Sequence, residues 1–450
     1  MVRIDPMASP KSSPQSLLDR RTLIAGLGAA ALPAIWPQAG RSQGASSLAL
    51  KAAPDRLELR LDGAAPGGPG PGGPEVPVWA LAGRSLSAKR GETAAIAVSN
   101  DLPVPLALHW RGVDGVNAAE PLLTRRPLAA GANDAFPLTL RHAGTFLCDS
   151  GLLGDAQARP LRSKPLVVLE HETVPVDRDE VCFIEEWRLR PDGSAIAPGT
   201  DPKDTKPLFT LNGQTSFELS APANQRLRLR FINGSQRTVL AVKLEGHEVR
   251  VMALDGQPAE PFPARNGALV LAPGGRADAF IDTGVTASIL LHDGKETHTI
   301  GKLAIAGRVE RRAPLLPAAP LPSNGLPEQF DLRNAQRFEV PLGVPVDWAR
   351  PANFTPNAQP AFRARKGRIV VLALTNRGPI ANVFHLHGHH FRLLDRLDDG
   401  WKPFWLDTLA IEPGQTQRVA FAAEYAGRWL VEQVATDWAA PRLVRWYSVE

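Results

Sequence analysis

Val383-Phe384-His385-Leu386-His387-Gly388-His389-His390-Phe391 places four of the chain's ten histidines within six residues. Apolar Ile369–Leu374 and the turn signal Gly378-Pro379 precede it and Phe391–Leu394 follows, so the run reads as a β-strand entered through a turn. Side chains alternate faces along a strand, which puts His385, His387 and His389 together unless Gly388 bends the chain. Imidazoles two residues apart on one face can share a metal ion, with copper and zinc the usual partners. The same spacing also suits a surface histidine cluster. Spacing alone leaves both readings open.

Outward from this run, the 42 prolines and 39 glycines suit many short strands joined by turns better than long helices. No heptad pattern, nucleotide-binding glycine loop or membrane-spanning apolar run stands out. At the N-terminus, Asp19-Arg20-Arg21-Thr22-Leu23-Ile24 feeds an apolar segment, the pattern of a twin-arginine export signal, so residues 1–45 are set aside as a signal region and a periplasmic location is expected. That region holds five basic residues (Arg3, Lys11, Arg20, Arg21, Arg41) against Asp5 and Asp19, so the formal charge of +5 falls to +2 without it. So small a surplus predicts no nucleic-acid partner. With Cys148 and Cys182 as the only cysteines there is no disulfide framework, and two unpaired thiols are expected.

Turn-punctuated strand patterns divide the rest into 46–172, 178–307 and 328–450, with a proline-rich linker at 308–327. The expected fold is all-β, with three consecutive Greek-key β-sandwich domains. Arg226-Leu227-Arg228-Leu229-Arg230 alternates charged and apolar residues and reads as a strand with a solvated arginine face. His247, after Gly246, reads as a loop residue without chemistry.

Four stretches taken together resemble the multicopper oxidases, a family of three cupredoxin domains. Leu108-His109-Trp110-Arg111-Gly112 is similar to the family's His-Trp-His-Gly; His142–Gly151 to its His-Pro-Gly-Thr-Tyr-Trp-Tyr-His-Ser-His; Asn382–Phe391 to its His-x-x-His-Leu-His-Gly-His-x-Phe; and Gly427–Leu443 to its Gly-x-Trp-x-x-His-Cys-His run. The middle of the chain agrees through Leu211-Asn212-Gly213, Asp255-Gly256 and Pro273-Gly274-Gly275.

The resemblance also implies which positions would hold copper. The type 1 ligands, a His, Cys, His and Met set, fall on Asn382, Gln433, Trp438 and Leu443, so the thiolate that starts the family's electron path is missing. Of the trinuclear ligands, His109, His385 and His387 remain, while Arg111, Asp149, Gly151, Glu432 and Val434 stand at the other five positions. Buried charges need partners, so Arg111 is expected to pair with Asp149 or Glu432 near His109 and His385. Trp438 is expected to fill vacated space, and His389 to be a hydrogen-bonded packing residue. The implied protein is a copper-free, non-catalytic envelope scaffold of the family's cell-division kind, a monomer that binds an unidentified envelope protein. The alternative is an oxidoreductase with one copper, or zinc, at His109, His385 and His387.

Overall fold

The computed structural model describes residues 47–58, 75–307, 315–395, 400 and 402–450. Residues 1–46, which include the expected signal region, residues 59–74 and the start of the 308–327 linker lie outside the described residues. Among those described, strands dominate, broken only by short 3-10 turns.

Three pairs of sheets follow one another along the chain, and the same strand pairing recurs in each. In the first pair, Ser47–Glu58 runs parallel to Thr93–Asn100, which pairs antiparallel with Asn133–Thr139. Arg178–Leu189, Arg226–Asn233 and Arg276–Asp282 repeat that parallel-then-antiparallel arrangement, and Gln336–Leu342, Ile369–Asn376 and Thr416–Ala422 repeat it again. The facing sheets repeat as well, with Leu86–Lys89, Phe217–Ala221 and Arg363–Ala364 each parallel to the last strand of its unit. A sheet buries one face against its partner, so each unit has its own apolar core. Ile96, Leu138 and Phe146 lie in the first core, Leu229, Phe231 and Leu291 in the second, and Leu372, Phe421 and Trp429 in the third. Cys148 and Cys182 are buried and unbonded to each other, on strands Gly144–Asp149 and Arg178–Leu189.

Two readings of the sequence need correction. The histidine strand stops at Leu386, because Gly388 turns the chain through a positive φ of 73° that side chains rarely adopt. A Cβ there would overlap the Trp429 indole. His387 therefore stays beside His385, while His389 leaves for the interior of the third unit and meets the Tyr447 hydroxyl at 2.7 Å. The Arg226–Asn233 strand is buried along its whole length. Arg228 donates to Asp278 at 2.6 Å and meets Glu170 at 2.8 Å, and Arg230 donates to Asp179 at 2.5 Å. Arg228 and Arg230 face the first unit through Glu170 and Thr145 and Arg226 pairs with Asp282, so the buried arginines make no solvated face.

Candidate functional site

Strand His109–Arg111 of the first unit and strand Asn382–Leu386 of the third carry the histidines that meet between them. Strand geometry puts His109 and Arg111, two apart, on one face. Opposite His109 stands Asp149, and opposite His385 stands Glu432, so each histidine strand has an acid on its neighbour. His109 Nε2 lies 2.8 Å from His385 Nε2, and the His109 ring stacks on His387 with centroids 3.5 Å apart. His385 is oriented by its other nitrogen, Nδ1, at 3.0 Å from both the Asp407 carbonyl and Thr408 Oγ1.

The expected Arg111 pairing forms with both acids. Arg111 Nε donates to Asp149 Oδ2 at 2.9 Å, and its Nη2 donates to Glu432 Oε2 at 3.3 Å. A second guanidinium, which the sequence reading missed, reaches the same oxygens. Arg442 Nη1 donates to Glu432 Oε2 at 2.5 Å and to Asp149 Oδ2 at 3.3 Å, and its Nη2 donates to Gln236 Oε1 at 2.5 Å. Arg442 stands opposite Val434 on the last strand. Its signal in the sequence is one of charge balance, since two buried carboxylates facing a single guanidinium call for another cation. Glu120 was also missed. It takes a hydrogen bond from His387 Nδ1 at 2.8 Å, while His387 Nε2 donates to Glu432 Oε1 at 2.7 Å.

These contacts divide the three histidines electrically. Burial, then the neighbouring His387 and His385, holds His109 well below the ordinary histidine range, and burial with Arg111 lowers His385 to about 4. Burial opposes charge on His387 too, but Glu120 and Glu432 outweigh it and raise its pKa to about 9. Against burial, Arg442 and Arg111 hold Asp149 down to about 2 and Glu432 well below the carboxylate range. Two neutral imidazoles thus sit beside a network of fixed charges. The space left among Arg111, Asp149, Gln236, His385, Glu432, Val434 and Arg442 is about 10 Å³, room for one water at most. Gly151 has no side chain to offer and gives its N–H to Asp149 Oδ1 at 2.7 Å.

The second set of positions lies deeper in the third unit. Asn382 donates to Asn376 Oδ1 at 3.1 Å, and Gln433 Oε1 accepts the Gly343 N–H at 2.8 Å. Leu443 packs against the third core. Trp438 points toward the second unit, where its indole N–H donates to the Ala197 carbonyl at 3.2 Å beside Arg188. Both cysteines belong to other units, so no thiol stands near these four residues.

Residues 184–288 and 325–447, together just over half of the chain, match two family models that are each described as multicopper oxidase. The chain belongs to the multicopper oxidase family. Multicopper oxidase MmcO of Mycobacterium tuberculosis is 25% identical over an alignment of 416 residues that covers 78% of each chain. Laccase-7 of Arabidopsis thaliana is 25% identical over 240 residues, which span 46% of this chain and 40% of that laccase. Among solved structures, a multi-copper oxidase from Pseudomonas thermotolerans superposes with a TM-score of 0.75 at 24% identity, over 91% of this chain and 100% of that one. Lac15 from a marine microbial metagenome gives 0.71 at 24%, over 89% and 100%. This multicopper-oxidase-family chain therefore has the cupredoxin scaffold of an oxidoreductase family.

Proposed function

We propose that this family member is a non-catalytic scaffold or binding protein of the cell envelope, in which ion pairs stand where its relatives hold copper. The observation that carries this reading is the pair of guanidiniums, Arg111 and Arg442, sharing Asp149 and Glu432 inside the cavity. A fixed positive charge repels a metal ion and competes for the carboxylates that could bind one. Arg111 Nη1 and Arg442 Nε are buried without an acceptor on the protein, so the surroundings present surplus donors where a cation needs lone pairs. Three histidines are too few ligands for three coppers. At the type 1 positions, amides and apolar groups replace the soft thiolate, and a blue-copper centre does not fit them. The residues at the family's ligand positions do not fit the copper set.

The envelope setting rests on the twin-arginine pattern, and the cell-division role rests on the resemblance to copper-free periplasmic members. The partner of such a scaffold is an unidentified envelope protein. A second reading has one observation of its own. His109, His385, His387 and Glu432 bring four possible ligand atoms within 4.8 Å of one another, and His109 and His385 are neutral, the form that binds metal. On that reading the chain keeps a mononuclear type 2-like copper site and is an oxidoreductase.

Copper bound by the wild-type chain, compared with a His109→Ala, His385→Ala double variant, separates the two. Equal copper content and no dioxygen consumption in either protein support the scaffold. One copper per chain that the double variant loses would establish the mononuclear site and end the scaffold reading.

A further inference from the structure

A second group of metal-ligand side chains lies beyond Asp407, where all three units meet. Asp114 and His142 come from loops of the first unit, His390 from the third, and Gln257 from the second. His390 Nδ1 lies 2.8 Å from Asp114 Oδ2, and His142 Nδ1 lies 3.5 Å from the same oxygen. All three ligand atoms fall within 4.8 Å of one another, and all three residues are buried. Metal–ligand bonds of about 2.0–2.2 Å separate neighbouring ligands of a tetrahedral ion by roughly 3.3–3.6 Å, so the His142–Asp114 spacing already fits and the His390–Asp114 spacing has to open.

The surrounding residues favour the same occupant. His390 Nε2 donates to the Asp255 carbonyl at 2.9 Å, the outer contact that fixes a metal-binding histidine and turns its other nitrogen inward. The Gln257 amide nitrogen, 3.0 Å from His142 Nδ1, shows that this nitrogen also presents its lone pair to the cluster. Gln257 is itself held by Asn324 at 2.9 Å, and Asn324 exchanges two hydrogen bonds with the Ala143 backbone next to His142.

Charge separates this cluster from the first. Around His387, three acids (Glu120, Asp149, Glu432) face Arg111, Arg442 and a protonated imidazole, which balances. Here Asp114, Asp255 and Asp407 face Arg276, which donates to Asp407 at 2.5 Å, and Arg141, which donates to the Asp114 carbonyl at 3.3 Å. At the rim, Arg90 and Arg141 act on His142, and Glu424 lies within the field of Asp114.

We propose that Asp114 Oδ2, His142 Nδ1 and His390 Nδ1 bind one divalent transition-metal ion of the zinc type, with water completing its shell. Binding displaces the proton between His390 and Asp114 and the Gln257 hydrogen bond to His142. Such an ion would tie the first and third units together through a site that is separate from the positions aligned with the family's coppers.

The test uses the full chain stripped with a chelator, with Co²⁺ as a coloured probe and Zn²⁺ as competitor. Three variants accompany the wild type: His142→Ala, Asp114→Asn, which keeps the shape of the side chain, and His109→Ala at the other cluster. The expected result is a saturable visible band from one Co²⁺ per chain that Zn²⁺ displaces. The affinity should fall by roughly a hundredfold in both His142→Ala and Asp114→Asn and be unchanged in His109→Ala. The proposal is overturned if the wild type shows no saturable band, or if the band survives in folded Asp114→Asn. A band that His109→Ala abolishes would also overturn it, and would bear instead on the mononuclear copper reading.

Discussion

Arg442 is the residue on which the central network most depends, since its Nη1 touches both Asp149 and Glu432 and its Nη2 holds Gln236. Removing one partner of a buried ion pair leaves an uncompensated charge, which costs about 3–5 kcal/mol. Arg442→Met should therefore lower the unfolding free energy by that amount, read as a lower urea midpoint with an unchanged slope, and adding Glu432→Gln should recover part of the loss. A drop of less than about 1 kcal/mol would mean that the network contributes little to stability. The histidines set a pH profile in chelator-treated protein. His387 and His390, both raised to about 9, contribute stability that is complete below the unfolded value near 6.5 and is lost as pH rises through 9. His142, His385 and His389, lowered to about 4, and His109, held well below the ordinary histidine range, contribute stability that is present above 6.5 and lost as pH falls. Asp255, raised to about 6, and Glu186, also raised, oppose that acid-side loss with fewer protons. Stability should peak near pH 6.5, and in His387→Gln the alkaline decline measured by denaturant unfolding should be shallower. An unchanged alkaline limb would rule out His387 as a source of it. Arg111 was legible because its motif position and two distant acids point to one place. Arg442 was not, since a lone arginine near the C-terminus gives no local sign of its partner.

Along strand Arg226–Asn233 the same residue type has two different energetic roles. Arg228 and Arg230 share Asp278, and both ends of those pairs are 1% exposed, whereas Arg226 pairs with an Asp282 that is 48% exposed. Asp278→Asn should cost about 3–5 kcal/mol and Asp282→Asn less than about 1 kcal/mol, read from thermal or urea unfolding. Equal losses would contradict the burial argument. Alternation of arginine and leucine looks the same in sequence whether the charged face meets water or another unit, because the neutralising acids Glu170, Asp179 and Asp278 are far away along the chain. Gly388 is the other decisive element-scale feature, turning the chain between His387 and His389 just past the end of the histidine strand. Gly388→Ala meets both the positive φ and the Trp429 ring, so it should destabilise the fold and displace His387 from Glu432. Its folded fraction, followed by Trp fluorescence, reports this; wild-type stability would disprove the constraint.

Across the whole molecule, the rhythm of turns revealed three sandwiches, but their mutual contacts could not be read. Periodicity reports which face of a strand is buried, and it does not report against what. The junction of the second and third units is polar, with Asp255 accepting backbone N–H groups of Asp407 and Thr408 and Arg276 spanning to Asp407, so separating them would expose charges that pair only when joined. An apolar cluster of Leu147, Phe183 and Ile232 joins the first unit to the second. The three units should unfold in one transition, with fluorescence and circular dichroism coinciding. The two cysteines give this cooperativity a clock. Burial raises both thiols, Cys182 to about 12, and each sits within the strands of a different unit. A thiol-specific reagent can then react only during excursions that open a core, so each label records how often its own unit comes apart. Matching rates at Cys148 and Cys182 would mean that the first two units open as one event, and a faster rate at either would identify the unit that loosens first.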